Sequence, residues 1–251
     1  MIPKIIHLCW LSGDAYPEKI SKCIKSWKEF LPDYEIFLWD TKRFDLNSSI
    51  WVRQAFEKKK YAFAADYIRF YALYHMGGIY LDSDVEVLRS FEEFLDLPYF
   101  IGAEKSQYPE AAIIGAEKGC DWVKICLDYY TDRSFIKEDG SLDILAAPWI
   151  MVEQISKLKP IRVLSVKDSL NIRNLDMQKE VLVLHDSFFS PKAFDSRKIE
   201  LTPQTYAIHH FQNSWFSPKA FWYYRCRAYF VRLFGYQRVR TLEHLLMPWK
   251  K

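Results

Sequence analysis

Short apolar runs and longer stretches of helical period alternate along this chain of 251 residues. The runs predict strands near residues 4–9, 34–39, 79–82, 99–103, 111–115, 161–165, 181–184 and 205–210. The periodic stretches predict helices near 17–30, 48–59, 62–76, 119–131 and 147–158. Pro17 suits the start of the first helix, where its missing N–H would lack a partner anyway. Strands and helices in turn argue for an α/β fold with a largely parallel central sheet. No internal repeat and no low-complexity linker interrupts the order.

The stretch from Ala62 to Met76 is apolar or aromatic on nearly every side, the mark of a helix buried all round. Only Asp66 and Arg69 break it, three apart and therefore on one face. Gly77-Gly78 then supplies left-handed backbone that ends a helix, and Ile79-Tyr80-Leu81 reads as a buried strand running into Asp82-Ser83-Asp84. Ligands bind at the carboxyl ends of strands in open α/β sheets, and two close carboxylates suit a hard divalent cation. Asp66 and Arg69 are costly to bury alone; a sugar hydroxyl and a phosphate oxygen would serve as partners, as would each other in a structural ion pair. Asp-x-Asp by itself says little. With seventeen Asp in the chain it is expected about once by chance, and the ordered set of helix, Gly-Gly stop, strand and acidic pair is what carries weight.

That set resembles glycosyltransferase family 32, the DXD-containing sugar transferases of capsular and cell-surface polysaccharide synthesis, and their relatives among the large clostridial glucosylating toxins. Further landmarks extend the resemblance over about residues 2 to 215: the opening Ile2 to Trp10, Ser26-Trp27 with Leu31-Pro32-Asp33-Tyr34 and Leu38-Trp39-Asp40, then Ala207-Ile208-His209-His210-Phe211 with Ser214-Trp215. It implies a GT-A fold, a metal-dependent hexosyltransferase that retains anomeric configuration, and a nucleotide-sugar donor, with UDP-hexose ahead of GDP-mannose. By position, Trp10 would stack on the base, Asp66 and Arg69 would hold donor sugar and diphosphate, and Asp82 would meet ribose or metal. Asp84 and His209 would ligate Mn2+ or Mg2+ with Asp82, while Ser214 and Trp215 close over the phosphates. His7, Tyr80 and Ser83 join the expected donor-binding set. Strand alternation sends His209 and His210 to opposite faces, so at most one enters the site, and the resemblance selects His209. The match is weak between about 105 and 200, where acceptor specificity is expected.

Half of the residues are hydrophobic, enough for one enzyme-sized domain over residues 1–215. No apolar run reaches 18 residues, and the N-terminus lacks the pattern of a secretory leader. Five cysteines, odd in number and without metal-site spacing, suggest reduced thiols in a cytoplasmic protein. Residues 216–251 differ: eight basic residues against Glu243 give them a net +7, leaving −4 on the remainder, and nine aromatics lie among the charges. That composition suits a helical tail on an anionic membrane surface, placing the enzyme peripherally on the inner face near a glycan or lipid-linked oligosaccharide acceptor. Nothing resembles a nucleic-acid module, so no nucleic-acid partner is expected. A haloacid-dehalogenase-like phosphatase, a glycan hydrolase and a non-catalytic nucleotide-sugar-binding module are the rival readings; the phosphatase normally carries its acidic pair on the first strand.

Overall fold

The structure, a computed structural model, describes residues 1–105, 108–193 and 197–212. Its elements are β1 (Ile5–Cys9), α1 (Glu18–Phe30), β2 (Glu35–Trp39), α2 (Ile50–Glu57), α3 (Tyr61–Met76), β3 (Gly78–Leu81), β4 (Val85–Val87), β5 (Tyr99–Ala103), β6 (Pro109–Ala116), α4 (Asp121–Asp128), α5 (Ala147–Leu158), β7 (Ile161–Val163), α6 (Val166–Leu170), β8 (Val181–Val183), α7 (Asp186–Phe189) and β9 (Ala207–His209). The first helix begins directly after Pro17, and Ser49 caps α2 through its hydroxyl.

Five strands form the main sheet in the order β2-β1-β3-β6-β5. The β1 strand is parallel to both neighbours, while β6 runs antiparallel to β3 and β5, so four strands share one direction and β6 alone opposes them. The connection through α1 steps from β1 to β2, and the one through α2 and α3 steps back across β1 to β3. Right-handed crossovers in opposite directions place their helices on opposite faces of a sheet. The α3 helix packs on β1, β3 and β6, whereas α1 packs on β4. Strand order therefore reverses between β1 and β3, and the crevice at their carboxyl ends is where such a sheet receives a ligand.

Gly77 and Gly78 are required by this geometry. Both have positive φ, and a Cβ on Gly78 would stand 2.7 Å from the Ile5 carbonyl oxygen. The helix before them is less enclosed than its composition suggests: Phe63, Ala64, Ile68, Phe70, Ala72 and Leu73 are buried, but Tyr67, Tyr71 and Tyr74 stay half-exposed. Tyrosine permits this because its ring packs while its hydroxyl reaches water.

The later predicted strands do not join the main sheet as named strands. The β7 and β8 strands pair parallel with each other, and Leu184, just past β8, bridges to Gly102 of β5. The β9 strand pairs antiparallel with β4, a three-residue strand that apolar periodicity does not reveal. Its register sets His209 opposite Val85, one residue after the acidic pair. Among the described residues no helix is long and apolar enough to cross a membrane, and Cys9, Cys23, Cys120 and Cys126 are free thiols. The boundary at 215/216, Ser214, Trp215, Cys226 and the basic aromatic segment lie outside the described residues.

Candidate functional site

The site is built where β3 ends. Asp82 to Val85 is a tight turn closed by the Val85 N–H on the Asp82 carbonyl at 3.0 Å, and the Asp82 N–H reaches the Ala112 carbonyl of β6 at 2.9 Å. Both acidic side chains are thereby fixed at the sheet's edge. One ligand atom from each of Asp82, Asp84 and His209 lies within 4.8 Å of the other two. Two carboxylates and an imidazole at that spacing are a donor set that fits a divalent cation.

His209 reaches this group because β9 lies beside β4. Its Nδ1 is hydrogen-bonded to Glu110 of β6, and its Nε2 stands 3.5 Å from Asp84 Oδ1. Burial opposes charge on the imidazole, but the Glu110 and Asp84 carboxylates outweigh it and raise the His209 pKa well above its ordinary value. Burial would likewise raise Asp84, yet the charge of His209, its hydrogen bond and the Gln212 N–H hold that carboxyl well below the usual range. The Gln212 N–H sits 2.7 Å from Asp84 Oδ2. His210 points the other way, its Nε2 2.7 Å from Glu86.

Glu110 escaped sequence reasoning altogether. It is the one charged residue in the strand Pro109–Ala116, it is buried, and its Oε2 has no hydrogen-bond partner. A lone acid in an otherwise apolar strand is the only sequence signal it leaves, because its partner lies 99 residues away. In metal sites a carboxylate behind a ligating histidine fixes the ring's tautomer and direction.

Behind the acidic pair sits Arg69. Its Nη2 donates to Asp66 Oδ1 at 2.9 Å and Asp82 Oδ1 at 3.3 Å, its Nη1 donates to the Ala111 carbonyl, and its guanidinium lies 4.5 Å from the centre of the Tyr80 ring. Only 4 % of Arg69 is exposed. Arg69, expected to hold the donor diphosphate, clamps the helix carboxylate to the turn carboxylate, and only its Nε lacks a partner. Asp66 is buried too, and burial, opposed by Arg69 and reinforced by Asp82, raises its pKa to about 6. The Ala147 N–H at the start of α5 also reaches it.

His7 and Tyr80, expected in the donor-binding set, are each buried and engaged by protein partners. His7 is fully buried in β1, its Nε2 donating to the Gly77 carbonyl at 2.7 Å while its Nδ1 accepts from the Trp39 indole at 3.2 Å. Burial lowers its pKa to about 4, so it is neutral and has no nitrogen left for a ligand. Tyr80 is 1 % exposed, and its hydroxyl donates to Asp82 Oδ1 at 2.9 Å, making it a support for that carboxylate. Strand alternation explains the pair, since residues 80 and 82 share a face. Ser83 is half-buried in the turn. Trp10 follows β1 at the same edge, half-buried, with its indole N–H on the Asp14 carbonyl at 2.8 Å and its ring 4.9 Å from that of Tyr16.

Residues 17–101 match the family model described as a glycosyltransferase sugar-binding region containing a DXD motif. Over 122 residues the chain is 33% identical to inositol phosphoceramide mannosyltransferase 3 of Schizosaccharomyces pombe, covering 47% of this chain and 34% of that protein. It is likewise 33% identical over 108 residues to mannosyl phosphorylinositol ceramide synthase SUR1 of Saccharomyces cerevisiae, covering 40% of this chain and 27% of that one. The chain thus spans about a third of the length of these curated relatives. Among solved structures, the PaToxG glycosyltransferase aligns with a TM-score of 0.50 at 18% identity, covering 69% of this chain and 74% of that chain. At that identity the likeness is one of fold, and the α/β chain described above has the GT-A fold.

Proposed function

We infer that this chain is a glycosyltransferase that moves a hexose from a nucleoside diphosphate sugar onto an acceptor hydroxyl with retention of configuration. The observation that carries the reading is the convergence of Asp82, Asp84 and His209 within 4.8 Å, at the carboxyl edge of the GT-A sheet and against a buried Arg69. Four carboxylates, Asp66, Asp82, Asp84 and Glu110, surround Arg69 and His209, an excess of negative charge that favours a divalent cation. A bound cation would neutralise charge developing on the leaving diphosphate.

Asp82, Asp84 and the Nε2 of His209 would hold that ion, with Glu110 steering the imidazole. Arg69 and Tyr80 fix Asp82, and Arg69 with the Ala147 N–H fixes Asp66, so the acceptors of the site are in place before donor binds. Asp66, once ionised, accepts a sugar hydroxyl. Trp10 offers an indole at the same edge for the nucleobase. Each of the four carboxylates is already engaged by Arg69, Tyr80, His209 or a backbone N–H. That engagement favours attack by the acceptor hydroxyl on the face of the departing phosphate over a covalent carboxylate intermediate.

The names of the fungal relatives support mannose as the transferred hexose, and GDP-mannose is the donor to try first. They lend no support to a capsular acceptor; a hydroxyl on a lipid-linked saccharide is the acceptor we propose. The basic aromatic residues 216–251 support docking on an anionic membrane surface at the inner face of the cell membrane. The test is nucleotide release from a panel of GDP- and UDP-sugars with Mn2+ and with chelator. Release from one donor that chelation abolishes is expected; release from none, with no binding of free GDP or UDP, would end the transferase reading.

A further inference from the structure

Two exposed aromatic side chains of the described residues stand together beside this site. Tyr108 is 40% exposed and Trp149 51%, and their ring centroids are 4.9 Å apart at an interplanar angle of 52°. Burying aromatic rings is strongly favourable, so a pair left in water calls for an explanation.

The backbone ties both rings to the reaction centre. Tyr108 directly precedes β6, and its carbonyl accepts the Glu104 N–H at 2.9 Å. Tyr108 stands two residues before Glu110, the residue that meets His209. Trp149 lies two residues beyond Ala147, whose N–H reaches Asp66. Two residues span at most about 7 Å of backbone, so both aromatic residues spring from chain close to groups of the site.

We propose that Tyr108 and Trp149 form the binding platform for a sugar ring of the acceptor, the ring stacking its C–H face on the indole while its hydroxyls face solvent and the acidic edge. The proposal rests on the transferase reading and assigns the acceptor side of that same site. The chemistry suits a pyranose. An aromatic face receives the weakly polar C–H side of the ring, and the 52° opening between the two rings gives a second wall. Nearness along the chain to Glu110 and to Ala147, which meets Asp66, favours a sugar over a lipid chain, because a ring seated there would present a hydroxyl to the donor side. Residues of this kind set which acceptor is used without taking part in donor chemistry.

Saturation-transfer NMR with methyl glycosides of mannose, glucose and galactose, in the presence of Mn2+ and free nucleoside diphosphate, tests it. In the wild type at least one glycoside should receive saturation through its ring protons. Trp149→Ala should weaken that binding by about tenfold, Tyr108→Ala by a smaller factor, and Trp149→Phe should keep most of it. Donor KM and acceptor-independent nucleotide release should not change in any of the three. No glycoside contact in the wild type, or contact equally strong in Trp149→Ala, overturns the proposal. So does a Trp149→Ala variant that loses binding to anionic vesicles while its glycoside contact is intact. Absence of nucleotide release from every donor, with Trp149-dependent glycoside contact retained, would instead sink the transferase reading and leave the sugar site standing.

Discussion

Asp66→Asn separates two opposing effects on one buried carboxylate. Burial favours its neutral form, and Arg69 at 2.9 Å favours the charged one; burial prevails and the pKa rises from 3.8 to about 6. Two units correspond to roughly 3 kcal/mol of linkage. The folded chain binds this proton more tightly than the unfolded one, so the stability it contributes is fully present below about pH 4 and is lost as pH rises through about 6. Asparagine keeps the shape and the acceptor oxygen but does not titrate. Urea unfolding of both proteins from pH 7.5 to 4, at unchanged m, should therefore show wild-type stability relative to Asp66→Asn growing by up to about 3 kcal/mol towards acid. The same protonation removes the acceptor for a sugar hydroxyl, so wild-type turnover should fall below about pH 6. A stability difference that is flat with pH, or that shrinks towards acid, would mean that burial does not outweigh Arg69 and would refute this account of the site's electrostatics.

Arg69→Met should destabilise the chain by about 3–5 kcal/mol in urea unfolding, because it strands two carboxylates that only 12% and 29% side-chain exposure can rehydrate; a loss under about 1 kcal/mol would deny Arg69 its clamping role. Glu110→Gln should fold and still turn over, but need about 10–100-fold more Mn2+ for half-maximal rate as the histidine loses its anchor; an unchanged Mn2+ requirement would show that Glu110 does not position His209. The 251-residue chain should float with anionic vesicles at physiological salt, and shortening it at residue 215 should abolish that; flotation unaffected by the deletion would dismiss residues 216–251 as the anchor.

What could be read from the chain divides along physical lines. The passage from α3 through Gly77-Gly78 into β3 was legible because each step is local: helical period, a backbone that only glycine tolerates, a short apolar run, then acids at its end. The separation of His209 from His210 was equally legible, since it follows from strand alternation alone. Contacts distant in sequence were not. The β4–β9 pairing that delivers His209 joins two strands of three residues each, too short for a periodic signal, and Glu110 meets its histidine only once that pairing exists. Direction was the other blind spot. Sequence marks Arg69, His7 and Tyr80 as chemically apt, but only packing shows that Arg69 serves two carboxylates, that His7 bonds inward to Gly77 and Trp39, and that Tyr80 supports Asp82.

The central claim is that Asp84 holds a metal ion needed for cleavage of a nucleoside diphosphate sugar. Asp84→Asn keeps an oxygen for the Gln212 N–H, and the Asp84 backbone carbonyl that receives the His210 N–H is untouched, so the variant should fold. Mn2+-dependent nucleotide release, measured side by side in the wild type and Asp84→Asn with matched circular dichroism, is the direct test. The account predicts a loss of at least about a hundredfold in the variant. Release within a few-fold of the wild type, still dependent on Mn2+, would contradict it and remove Asp84 from the site.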